Sequence, residues 1–173
     1  MSDRDLNITA VFSDCGRFRH ILRACWDSSR PTLGWICLNP SQAGRPGGDG
    51  FVVGDPSVRK MAGFSADNGY GGLVLANLFD FIATDPREMK AAGYPRSPNA
   101  DDWIRTAARE AGGHVVCAWG TNARKLSRPT EVLALLRSAG ARTMALRLTD
   151  DGIPWHPLML PYSCKLVDLE VRG

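Results

Sequence analysis

Three polar side chains interrupt or follow the most apolar runs of the chain. Asn39 closes "LGWICLN" (33–39), Asn77 stands inside "LVLANLF" (73–79), and His156 lies in "IPWHPLML". Asn39 precedes Pro40, which pushes it toward an extended backbone. It is either an ordinary strand terminator or a group placed to touch a ligand. An amide has no basic electron pair of use near neutral pH, so Asn39 can hold a water but not deprotonate it. Ser41, two residues on, joins it as a substrate-binding candidate. Asn77 is either satisfied by backbone or reads a base. A buried amide without partners costs about 1–3 kcal/mol. The same amide donates and accepts in one plane, which matches the edge of a pyrimidine or purine. His156, stiffened by Pro154 and Pro157, could donate to a developing anion. His20 and His114 receive no role.

Phe51, Phe79, Phe81 and Trp155 are candidate stacking surfaces, with Phe51 or Phe64 the ones that follow Asn39. Trp119, at the end of "HVVCAWG" (114–120), is a further substrate-binding candidate. Among the acids, Asp14, Asp49, Asp55, Asp80 and Asp85 are eligible. Asp55 and Asp85 are accounted for as helix caps, which leaves Asp49, in a Gly-rich loop, as the suggestive one. The pairs Asp101–Asp102 and Asp150–Asp151 read as solvated.

These groups need a scaffold that brings strand ends together. Near-continuous apolar runs at 33–39, 73–79 and 114–120 suit strands buried on both faces. A fourth strand is expected at 141–149, and "NITAVF" (7–12) could form a first one. The stretch 16–27 fits either a helix or a hairpin arm. Asp55-Pro56 and Asp85-Pro86 mark helix starts. Residues 97–113 read as a helix capped by Asn99, and the segment from Thr121 to Ala141 as a helix broken near Pro129. The alternation implies a single α/β domain spanning 1–173. Its expected form is three layers, a mostly parallel four-stranded sheet flanked by helices. Ligands in such sheets bind at the carboxyl ends of the strands, where Asn39, Asn77, Trp119-Gly120 and His156 would meet.

Bulk properties narrow the classes. The chain has 173 residues, 44% apolar and 23% charged, with a net charge of +3. That balance is ordinary for a globular protein and too weak to demonstrate a nucleic-acid partner. The five cysteines lack C-x-x-C spacing, so reduced thiols in a cytoplasm are expected, with no zinc site. Cys37 and Cys117 read as small buried hydrophobes. No signal pattern opens the chain, and no apolar run is long enough to span a membrane. Neither a triphosphate loop, a nucleophile elbow nor a metal-ligand cluster is found, so no cofactor or metal is expected.

The ordered blocks "LNPSQA", "DPSVRK", "NLFDFIATDP", "CAWG" and "GIPWHPLML" resemble a bacterial and phage domain of unknown function, over about residues 12–162. A second resemblance is to the uracil-DNA glycosylase superfamily. "CLNPSQ" is similar to the G-x-N-P-G element of its mismatch-specific branch, "LVLAN" to the strand ending in a base-reading Asn, and "WHPLML" to its His-Pro-Ser motif. This resemblance implies a glycosylase-like fold. It also implies hydrolysis of an N-glycosidic bond to uracil or a modified base in DNA, with water held by Asn39, the base read by Asn77 and the leaving base stabilised by His156. It further implies phosphate contacts from Arg59, Lys60, Arg124, Lys125 and Arg128, although a solvated helix face is the better reading for at least half of these five. The chain departs from that pattern: Leu158 replaces the Ser, and "DDGIPW" separates the last motif from its strand. A nucleobase-binding module without catalysis and a small-molecule nucleoside or nucleotide hydrolase are the competing expectations.

Overall fold

The computed structural model describes residues 6–45 and 55–169. Seven strands form one sheet in the order β1-β2-β4-β3-β5-β6-β7. They are β1 (Ile8–Phe12), β2 (Arg19–Cys25), β3 (Thr32–Cys37), β4 (Gly72–Asn77), β5 (His114–Cys117), β6 (Arg142–Ala145) and β7 (Val167–Asp168). The four expected parallel strands are its centre, because β4, β3, β5 and β6 pair in parallel. The expected count of four is corrected by antiparallel edges. The β1–β2 hairpin pairs onto β4, and β7 pairs onto β6. The stretch 16–27 is therefore the hairpin arm.

Helix α1 (Pro56–Asp67) lies on one face, and α3 (Ala100–Glu110) and α4 (Arg128–Ser138) on the other. Side chains on β3 alternate between them: Leu33, Trp35 and Cys37 pack with α1, and Ile36 with α3 and α4. That is why the β3 sequence is apolar throughout. Asp55 caps α1 by accepting from the Val58 amide at 2.8 Å, ahead of Pro56 in its first turn. Asp85 caps α2 (Pro86–Ala91) in the same way, through the Arg87 amide at 2.8 Å. Asn99 occupies the cap position of α3 but makes no side-chain capping bond. Its side-chain amide instead lies 2.9 Å from Ser97 Oγ. Pro129 begins α4 rather than breaking a longer helix, since a proline in the first turn loses no hydrogen bond.

The β1–β2 pairing carries a bulge. Val11 faces Ile21 and Phe12 faces Arg19, so His20 is the extra residue. His20 stacks on Trp103 of α3, with ring centroids 5.3 Å apart, and Ile21 enters the core on the same side. The bulge thus breaks the period of two and turns Arg19 to the α1 side. Behind the sheet, Asp80 is buried and accepts from the Ser97 amide at 2.8 Å, from Ser97 Oγ, and pairs with His20 Nδ1 at 2.8 Å. This saturated cluster accounts for Asp80 as a structural acid.

Gly71 joins the turn after β2 to the start of β4. Its amide donates to Pro31 O at 2.9 Å, and its carbonyl accepts from Trp26 and Asp27 at 3.0 and 2.9 Å. A Cβ there would lie 1.9 Å from the Asp27 carbonyl oxygen, so backbone has to move. Gly71→Ala is expected to cost about 2–3 kcal/mol of stability in denaturant unfolding. A change within about 0.5 kcal/mol, the ordinary surface range, would contradict this packing.

Candidate functional site

A small cleft opens beside the carboxyl ends of β3 and β4, on the α1 side of the sheet. Four residues singled out in the sequence line it: Asn39, Ser41, Asn77 and His156. Arg19, Cys37, Asp55 and Ser57 complete its polar wall, and Val58, Met61 and Leu75 its apolar wall. They arrive from separate elements. Cys37 ends β3, and Asn39 follows two residues later. Asn77 is the last residue of β4. Asp55 and Val58 belong to the start of α1. His156 comes from the segment after β6, immediately before a short 3-10 turn (Pro157–Met159).

The hydrogen-bonding state of each group limits its chemistry. Asn77 is 2% exposed, and neither Nδ2 nor Oδ1 has a partner. Arg19 is also 2% exposed. One guanidinium nitrogen donates to Ala43 O at 2.9 Å, while Nε has no partner. Buried polar groups are nearly always paired, with protein or with water, so three orphaned atoms on two residues of one cleft mark a place for a water or a polar ligand. Asn39 is held differently. Its Nδ2 donates to Ala83 O at 2.7 Å and to Pro40 O at 3.1 Å. With both amide protons engaged, Oδ1 is the atom left to accept from a water or ligand.

His156 Nδ1 accepts from the Leu158 amide at 3.3 Å. In the neutral ring that places the proton on Nε2. Burial holds its pKa below the usual 6.5, opposed by the Asp55 carboxylate. The imidazole is therefore neutral at pH 7, with Nε2–H as the donor it can offer a ligand. Burial also lowers Arg19 to about 10, again with Asp55 acting in the opposite sense. Burial raises Cys37 to about 12, so its thiol stays protonated and inert as a nucleophile.

Other sequence candidates sit elsewhere. Trp119 is 3% exposed and packs in the core on the α3–α4 side, not in the cleft lining. Its neighbour Gly120 serves the cleft indirectly. At φ 75° it donates to Pro154 O at 3.0 Å, and a Cβ there would lie 3.3 Å from His156 Cβ. Phe79 is buried against Tyr94, Phe81 packs edge-on to Phe18, and Phe64 lies beneath Tyr162. Trp155 carries Arg147 over its ring. Among the described residues no aromatic ring besides the imidazole lines the cleft. Phe51 and Asp49 lie outside the described residues.

The basic residues do not gather at the cleft. Lys60 Nζ sits 3.9 Å from the Tyr162 ring centroid, and Arg124 clamps Asp151 with two bonds of 2.7 and 3.1 Å. Arg59 is exposed on α1. Arg128 does not lie on a solvated helix face. It is 4% exposed, donates to Leu78 O at 2.9 Å and pairs with Asp101 and Glu131. Among the described residues no group of side chains could hold a metal ion, and no helix is long and apolar enough to cross a membrane.

The profile of a family described as "protein of unknown function", DUF1643, matches residues 19–158. The chain belongs to the DUF1643 family. The DUF1643 match begins at Arg19 and ends just after His156, so it encloses every cleft residue named above. No curated protein and no solved structure gives a significant match.

Sequence reasoning missed Arg19 and the second role of Asp55. Arg19 carried no signal, because its direction depends on the bulge at His20. Asp55 was legible as a cap, but a cap is sufficient explanation until the helix start is seen to form a cleft wall.

Proposed function

We infer that this DUF1643 protein hydrolyses an N-glycosidic bond to a nucleobase. The observation that carries this reading is the buried, wholly unpartnered amide of Asn77 at a cleft that also holds His156 and Asn39. Nδ2 and Oδ1 together complement a carbonyl next to a ring N–H, the edge a nucleobase presents. His156 Nε2–H supplies a donor to the base as negative charge develops on departure. Asn39 Oδ1 holds the water that adds to C1′. The reading extends to a glycosylase-like fold of the kind the uracil-DNA glycosylase superfamily uses, supported by the order of the Asn39, Asn77 and His156 motifs.

A free nucleoside or nucleotide is favoured over DNA by one observation. Lys60 and Arg124 are already engaged with Tyr162 and Asp151, and a phosphate chain has to displace those partners. Turnover of a free nucleoside would vary little with salt, whereas DNA binding weakens steeply.

The test is release of free base from a panel of nucleosides and of oligonucleotides containing uracil or modified bases, followed by chromatography. The wild type is expected to release base. Asn39→Ala is expected to lower the rate about 10²-fold or more, the scale of a lost water position. No release across the panel from folded protein would sink the reading. Binding without release would favour a non-catalytic nucleobase module instead.

A further inference from the structure

We propose that Asp55 is the general base of this cleft, held for that task by Ser41 and the Val58 amide. The inference rests on the hydrolase reading above and adds the group that Asn39 cannot be. An amide orients water but cannot take its proton, and no acid was assigned to that step from the sequence. Asp55 lines the same cleft as Asn39, Asn77 and His156.

Both carboxylate oxygens are fixed. Oδ1 accepts from the Val58 amide at 2.8 Å, and Oδ2 accepts from Ser41 Oγ. An ionised carboxylate has about four acceptor sites, so each oxygen retains capacity for a water. The Arg19 guanidinium, buried and with Nε unpartnered, interacts electrostatically with Asp55. A helix cap alone requires neither the Ser41 hydroxyl nor a buried cation brought across the sheet by a bulge. The orphaned Arg19 Nε and Asn77 amide are the independent sign that a ligand sits beside this carboxylate.

The step balances. Asp55 takes a proton from the water, whose oxygen forms a bond to C1′. The C1′–N bond breaks, and its electron pair leaves on the base, which accepts a hydrogen bond from His156 Nε2. The products are the free base, protonated in turn from solvent, and the sugar with a hydroxyl at C1′. Asp55 is thus a catalytic residue beside Asn39 and His156, and Ser41 is a positioning residue.

The titratable groups facing Asp55 across the cleft are Arg19 from β2, Cys37 from β3 and His156. Single-turnover base release by wild type, Asp55→Asn and Ser41→Ala, measured across pH together with melting temperature, tests the proposal. Asn also caps helices well, so Asp55→Asn is expected to keep a near-wild-type melting temperature. Its rate is expected to fall about 10²–10⁴-fold, the range for a lost general base. The acid-side rise of the pH–rate profile is expected to disappear with it. Ser41→Ala is expected to lose less rate and to shift that rise. Asp55→Asn at wild-type rate, or slowed with an unchanged profile, overturns the proposal and leaves the hydrolase reading standing. Wild type without base release overturns both.

Discussion

Asn77→Leu is expected to stabilise the protein by about 1–3 kcal/mol and to abolish base release. The two effects have one origin. The Asn77 amide is buried and no protein atom pairs with either of its polar atoms, so the fold itself does not offset its desolvation. Leucine is close in shape and brings no polar atom to the neighbourhood of Leu75 and Met61. Replacing an unpaired group by an apolar one of similar shape removes the desolvation cost. A structural asparagine behaves in the opposite way, since its removal strands its partners. Urea unfolding of the variant decides the sign. Loss of stability in Asn77→Leu would mean that the amide is satisfied in solution and has no ligand to wait for.

His156→Ala is expected to lower the rate of base release about 10²–10³-fold, the scale of one lost donor to a developing anion. The same substitution should change the acid sensitivity of the fold. Burial depresses the folded-state pKa of His156 below 6.5. As pH falls through 6.5, the unfolded chain binds a proton that the folded protein resists, so stability is lost from 6.5 down to the folded pKa. Above pH 7 both states are neutral at this ring, and no such loss occurs. Comparing unfolding at pH 7.5 and pH 5 should therefore show a smaller acid loss in His156→Ala than in wild type. An equal loss in both would mean that His156 is freely solvated and titrates as in the unfolded chain.

The parallel centre of the sheet was legible because β3, β4 and β5 are apolar on both faces, a pattern forced by helices above and below. The edges were not. β2 reads "RHILRAC", in which Arg19 and His20 hide the strand period, and the bulge that explains them is a property of its pairing with β1. β7 is a two-residue exposed strand, Val167–Asp168, with too little pattern to see. For the site, Asn39, Asn77 and His156 were visible as polar groups in apolar surroundings, and they share one cleft. Trp119 was visible by the same logic, yet β5 ends at Cys117, and Trp119 turns into the opposite core. The setting of Arg128 was hidden for a different reason. Arg128 is consumed by Leu78 O, Asp101 and Glu131, contacts between segments far apart in the chain.

The central claim is that the Asn77 amide reads a nucleobase in the cleft. It is tested most directly by following the Asn77 side-chain NH₂ resonances in 15N-labelled protein during titration with free uracil, cytosine, adenine and hypoxanthine. At least one base is predicted to shift those resonances together with His156 Nε2, and the shifts are predicted to vanish in Asn77→Leu. Titrations that leave both side chains unmoved while the protein is folded would contradict the claim.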